Sequence, residues 1–198
     1  MHGAREFVTG IGKRPLSSSA TIDTCGLAND VICDEEHHGG PDQAVYAYSA
    51  ADYQWWTEQL GCEIEPGTFG DNLTIAGLPS DMNAGDRLLI GEVILEATSP
   101  RIPCSTLAAK MQDSGFGLTF KRAERPGFYF RVLNGGQVVA GDAVTLVENP
   151  QDAISMLELF RLSYEIRPSE SRLQRALDAP IAARMREKFE SKLASVHA

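Results

Sequence analysis

The feature that most constrains the fold is a run of short apolar and β-branched segments punctuated by glycine turns. Residues 128–133, 137–140 and 143–148 read as three strands, with Asn134-Gly135-Gly136 and Gly141-Asp142 as the turns between them. Asn-Gly flanked by such runs is a strong short-range hairpin signal. Comparable runs occupy residues 5–11, 44–48, 73–75, 87–90 and 92–97, and residues 21–42, dense in Gly, Asp and Glu, read as strand and loop. Helical patterns interrupt them, one of them begun at Cys104 and two others elsewhere. Residues 49–60 begin with the capping residue Ser49, repeat Tyr53, Trp56 and Leu60 at helical spacing, and stop at Gly61. Residues 117–125 form a second, carrying Lys121, Arg122 and Arg125. Many short strands with helices inserted rather than alternating favour a mainly β, barrel-like domain over a doubly wound sheet.

Near Asn149-Pro150 the chain changes character. Residues 1–150 hold 10 Lys and Arg against 20 Asp and Glu, whereas residues 151–198 hold 8 against 7. The later segment carries three helical apolar patterns, at residues 152–162, 169–177 and 180–193, each with a Pro, Ser or Asp start signal. The expected organisation is a β-barrel domain over residues 1–149 followed by a small three-helix domain over residues 150–198. Helices this short bury too little surface to stand alone, so they should pack on the β body or on a partner chain.

Chemistry concentrates in residues 98–111. Pro100 and Pro103 fix their own φ and hold the residues before them extended. Cys104 follows, and Leu107, Ala108 and Met111 then recur at helical spacing, which puts the thiol at the start of a short helix. Free backbone N–H groups and the guanidinium of Arg101 favour a thiolate there, making Cys104 a candidate soft ligand. The alternative is a small buried hydrophobe, a common fate of free cysteine. In His37-His38-Gly39-Gly40-Pro41-Asp42 the glycines and proline make a tight turn, and His38 is a ligand, a base, a hydrogen-bond clip or a surface-loop residue. In Phe69-Gly70-Asp71-Asn72-Leu73, Asn72 can serve a ligand or only its own turn.

Composition narrows the function classes. A formal net charge of −9 argues against sequence-independent nucleic-acid binding. The 198 residues contain no apolar run long enough to span a membrane and no signal-peptide pattern, so a cytoplasmic protein is expected. The four cysteines, Cys25, Cys33, Cys62 and Cys104, show no C-x-x-C pair and read as reduced thiols. No G-x-G-x-x-G, Walker or H-E-x-x-H pattern is present.

Taken together, His38-Gly39-Gly40-Pro41-Asp42, Ala44-Val45-Tyr46-Ala47-Tyr48, Phe69-Gly70-Asp71-Asn72-Leu73, Gly85-Asp86-Arg87, Pro100-Arg101-Ile102-Pro103-Cys104 and Gly141-Asp142 resemble the MOSC domain family, in its bacterial YiiM-like group. The order and spacing match over about residues 5–148, and the tail resembles the three-helix domain that follows MOSC in that group. Asp71 stands where Glu is more usual, and His37 adds a second histidine. The resemblance implies a MOSC-type β-barrel that binds the molybdenum cofactor (Mo-molybdopterin) with Cys104 as metal ligand and catalytic residue. It also implies reduction of small N-hydroxylated substrates, such as hydroxylamino purines, with electrons from a separate reductase. Arg101, His38 and Asn72 become candidates for holding the pterin, its phosphate or its dithiolene. Lys13 and Arg131 are further candidates for the phosphate, because an anion in an acidic protein needs local cations.

Two other readings stand beside this one. A cofactor carrier or sulfur-handling protein would use the same pocket without turnover. A hydrolase would pair Cys104 with His38 as base.

Overall fold

A computed structural model describes residues 10–30, 39–150 and 153–196. The first strand β1 (Ala20–Asp23) pairs antiparallel with the short β2 (Gly26–Leu27). A 3-10 turn (Pro41–Gln43) leads into β3 (Val45–Ser49) and helix α1 (Ala50–Leu60). Then come β4 (Leu73–Ile75), β5 (Arg87–Ile90) and β6 (Val93–Pro100), helices α2 (Ser105–Lys110) and α3 (Phe116–Ala123), and strands β7 (Phe128–Asn134), β8 (Gly136–Val138) and β9 (Val144–Val147). Helices α4 (Met156–Tyr164), α5 (Glu170–Asp178) and α6 (Ala183–Val196) end the chain. Among the described residues no helix is long and apolar enough to cross a membrane. Of the strand expected over residues 5–11, residues 5–9 lie outside the described residues, and Gly10 and Ile11 form a turn.

Six strands make one mixed sheet in the order β4-β3-β7-β6-β5-β9, with only β3 and β4 parallel, and β2-β1-β8 make a smaller sheet. Register shifts between β6 and β7 at Ile94/Leu95 and Ala97/Ser99 add local twist, which curls the larger sheet into a half-barrel. The three late strands form where expected, but they do not form the expected hairpins. Strand β7 pairs with β3 and β6, β8 crosses to β1, and β9 runs along β5 at the far edge. The glycines explain the difference. A two-residue Asn-Gly hairpin needs positive φ, which neither Gly135 nor Gly136 adopts. A Cβ on Gly135 would lie 2.6 Å from the Ile22 carbonyl oxygen, so the glycine allows two backbones to touch where the chain turns from one sheet into the other.

Strand β3 is buried on both faces and separates two clusters. Val45 and Ala47 face a core shared with Leu88, Leu95, Phe130 and the tail residues Met156, Leu159, Leu173 and Phe189. The tail helices therefore pack on the sheet rather than standing apart. Tyr46 and Tyr48 point the other way, into an aromatic cluster of Tyr53, Trp56, Phe69, Phe116 and Phe120 with Leu107. Their polar ends are satisfied: Trp56 donates to the Tyr48 hydroxyl at 2.8 Å, and Tyr48 and Tyr46 donate to the carbonyls of Arg125 and Pro126, each at 2.7 Å. Gly61 ends α1 in the left-handed conformation with φ 67°, as the sequence predicts. Ser49 sits at the other end of that helix but spends its hydroxyl on the Leu78 carbonyl instead of on a helix N–H.

Two substitutions test this packing. Phe189→Ala empties a fully buried site in the shared core and should cost about 3–5 kcal/mol in urea unfolding, with sheet and helix signals lost in one transition. Separate transitions for the two would show that the cores are not shared. Gly135→Ala should cost about 1–3 kcal/mol through the clash at the corner, and an unchanged midpoint would refute that close approach.

Candidate active site

Strand β6 delivers Pro100 to the edge of the aromatic cluster, and the chain then runs without regular structure to Cys104, the N-cap of α2 with φ −115° and ψ 170°. The Cys104 carbonyl accepts from the N–H of Leu107 at 3.2 Å and of Ala108 at 3.4 Å, while its partly buried thiol packs on the aromatic cluster. Arg101, only 4% exposed, interacts electrostatically with the Cys104 side chain. One of its terminal nitrogens donates to the Phe69 carbonyl, and its guanidinium lies 5.0 Å from the centre of the Tyr46 ring. Burial alone would lower the Arg101 pKa, but Tyr129, Tyr46 and Cys104 outweigh it and hold the group charged. Among the described residues the buried Arg101 Nε has no partner.

The loop before β4 shapes the same place. Gly70, at φ +77°, brings that loop against the arginine: a Cβ there would lie 3.0 Å from Ile11 and 3.4 Å from the Arg101 Nη1. Asp71 is 3% exposed and accepts hydrogen bonds from the Tyr53 hydroxyl and, at 2.6 Å, from Thr74. Burial raises its pKa above the usual carboxylate value, against the pull of those hydrogen bonds and of Arg101. Lys110, the last residue of α2, donates to the carbonyls of Ile11 at 2.9 Å and Gly67 at 3.4 Å and interacts electrostatically with both Asp71 and Arg101.

Of the residues expected from sequence, Cys104 and Arg101 are brought together. Asn72 and Lys13 are joined to each other through Asp30: Lys13 pairs with one carboxylate oxygen, and the Asn72 amide donates to the other at 2.7 Å. Asn72 also accepts from the Tyr46 N–H at 2.9 Å, so its side chain is committed to holding β3. Arg131 is committed elsewhere, to Asp42 at 3.0 Å, Glu96 at 3.3 Å and the Pro180 carbonyl at 3.2 Å. Its charge serves the joint between sheet and tail. His38 lies outside the described residues, although the turn after it forms, with Gly39 at φ 73° and Gly40 at φ 86°. Sequence reasoning did not single out Lys110, Tyr46, Tyr129 or Asp30 as site residues. For Lys110 a signal existed, a lysine on the helix that begins at Cys104; the tyrosines read only as strand residues.

A cavity of about 610 Å³ opens away from this cluster, at the seam of Gly85, Arg87, Glu96, Asn149, Pro180 and Arg186. It is a poor candidate, because its arginines are already used. Arg87 donates to Glu96 at 3.0 and 2.9 Å, and Arg186 to the carbonyls of Leu177 and Ala179 at 2.6 and 2.8 Å.

The buried carboxyl gives a pH test with a definite sign. Because the folded-state pKa of Asp71 is raised above 3.8, the folded protein holds that proton more tightly, so stability falls as pH rises from 3.8 toward the folded value. Asp52, also raised by burial against its Arg125 bond, adds to the slope. Asp71→Asn should flatten the fall in thermal midpoint over that window; a variant with the wild-type slope would show that Asp71 does not titrate there.

Comparison with known proteins identifies the family. The MOSC domain family model matches residues 34–145, which include β3 to β8 and the Arg101–Cys104 segment. The chain is 32% identical over 193 residues to the uncharacterized protein YflK of Bacillus subtilis, covering 96% of this chain and 87% of that one. It is 32% identical over 144 residues to a protein of Gibberella moniliformis named a reductase, covering 68% of this chain but only 26% of that longer protein. The crystal structure of YiiM from Geobacillus stearothermophilus superposes with a TM-score of 0.81 at 30% identity, covering 94% of this chain and 90% of the other. The chain belongs to the MOSC domain family, and its curled half-barrel and terminal helices follow the YiiM form of that fold.

Proposed function

We propose that the protein is a molybdenum-cofactor-dependent reductase of N-hydroxylated compounds, with Cys104 as the metal ligand. The observation that carries the reading is a buried guanidinium, Arg101, that interacts electrostatically with the Cys104 side chain and whose buried Nε has no partner among the described residues. Buried polar groups are almost always paired, so an orphaned one beside a soft donor is what a site for an anionic, sulfur-chelated metal requires. Among the described residues no group of three or more His, Cys, Asp or Glu side chains gathers to cage a metal. Cys104 offers a metal one soft ligand, and the pterin dithiolene would supply further sulfur ligands. The reductase named among the relatives supports the reaction class.

The residues fit the group in distinct roles. Cys104 supplies a soft ligand, and Arg101 holds anionic oxygen or sulfur in a water-poor setting where one charge counts for more than at the surface. Asn72 acts indirectly, by clamping Tyr46 and with it the ring beneath Arg101. When bound, the cofactor supplies a two-electron couple able to accept oxygen from N–OH. The balanced reaction takes an N-hydroxylated base, two electrons and two protons to the amine and water. The electrons come from a separate reductase.

Anaerobic turnover with an artificial electron donor tests the reading. Molybdenum-loaded protein should reduce hydroxylamino purines to amino purines, apoprotein should not, and Cys104→Ser should fall to background while keeping the wild-type fold, because a serine hydroxyl is a hard and mostly protonated donor. Cys25→Ser and Cys62→Ser alter exposed thiols and should keep activity. If loaded protein reduces none of a panel of N-hydroxylated bases, amidoximes and hydroxylamines, the cofactor-carrier reading replaces this one.

A further inference from the structure

Arg101 is not the only cation at the site, and Lys110 is one that sequence did not select. The charge of Lys13 faces the Asp30 carboxylate. Lys110 has no such partner: among the described residues its ammonium meets two carbonyl oxygens, of Ile11 and Gly67, and an ammonium carries three protons. It interacts with Arg101 as a like charge, and the one carboxylate that interacts with both, Asp71, is occupied by the hydroxyls of Tyr53 and Thr74. Burial favours the neutral form of both neighbours, lowering the pKa of Lys110 and raising that of Asp71. Two cations in a partly dehydrated place with so little opposing charge are costly in an apoprotein, and a bound anion removes that cost.

We propose that Lys110 is a binding residue for a phosphate group, acting with Arg101 on one anion at the Cys104 end of the half-barrel. This rests on the cofactor reading above and deepens it, since it assigns the phosphate-bearing end of the ligand to the side of the site where α2 ends and the Ile11 and Gly67 carbonyls converge. Among the described residues the Arg101 Nε and the third Lys110 proton have no partner, so both can donate without releasing the carbonyls they already hold. The protein as a whole carries a formal charge of −9, so an anion is drawn here by the local pair and not by the overall field.

Inorganic phosphate is the probe, titrated calorimetrically into the full-length apoprotein at low ionic strength, with wild type, Lys110→Met, Lys110→Arg and the distant surface variant Arg87→Met compared. Loss of one charged hydrogen bond should weaken phosphate binding by about tenfold or more in Lys110→Met, while Lys110→Arg restores most of it and Arg87→Met binds as wild type. Molybdenum retained per chain after gel filtration of loaded protein should fall in the same order. Phosphate binding by Lys110→Met equal to wild type, equal loss in Arg87→Met, or no phosphate binding by wild type would each overturn the proposal. These outcomes are separate from turnover: loaded wild type that reduces no substrate sinks the reductase reading alone, whereas Lys110→Met with unaltered phosphate affinity and molybdenum content sinks this inference alone. If Lys110→Met unfolds, Lys110→Gln at matched thermal midpoint supplies the same comparison.

Discussion

A buried guanidinium dictates much of the local architecture. Removing Arg101 from water costs several kcal/mol unless polar and aromatic groups replace the lost hydration, and each element nearby supplies one of them. The loop before β4 offers the Phe69 carbonyl, β3 offers the face of Tyr46, and the start of α2 offers the Cys104 thiol. Pro100 and Pro103 keep the connecting segment stiff, so the arginine reaches all three without regular secondary structure of its own. Gly70 has no side chain because one would meet both Ile11 and the arginine.

The tail matters to this site, and Arg184 of α6 interacts electrostatically with Tyr129 beside Arg101. Thr98 stands three residues before Arg101, and its surroundings show how the parts are joined. Its hydroxyl donates to the Asp42 carbonyl and, at 3.1 Å, to that of Tyr129, while its own carbonyl accepts from Ala182 at 3.0 Å. Asp42 in turn accepts from the Ala183 N–H at 2.8 Å and pairs with Arg131. The 3-10 turn, β6, β7 and the start of α6 therefore meet at one joint. Because β3 has the shared core on one face and the aromatic cluster on the other, a change in tail packing reaches Tyr46 through a single strand. Arg131 belongs to this joint, where two carboxylates and the Pro180 carbonyl take up its terminal nitrogens.

Local signals were legible wherever they act through the chain's own dihedrals or its nearest neighbours. Gly61 stops α1, Ser169 precedes α5, and Cys104 lies at the start of its helix, as spacing and capping chemistry predict. The helix expected from residue 152 instead starts at Met156, because Ser155 accepts from the Glu158 N–H at 3.1 Å and makes the cap. Where a signal had two physical meanings, sequence could not choose. Asn134-Gly135-Gly136 is consistent with a turn or with close backbone contact, and only the presence of Ile22 against Gly135 selects the second.

The chain by itself determined most of the strands and helices among the described residues, the change of character near Pro150, and the closeness of Arg101 to Cys104, since these follow from backbone stereochemistry and short sequence separation. Tertiary structure decided which strands are neighbours and which cations are spent. Lys13, Asn72 and Arg131 looked available until Asp30, Tyr46, Asp42 and Glu96 were seen beside them, and Lys110 looked like a helix-end lysine until its ammonium met Ile11 and Gly67. The physical reason is that a charge's role depends on what neutralises it, and those partners lie from 17 to 99 residues away in the chain, a distance over which local propensity carries no information.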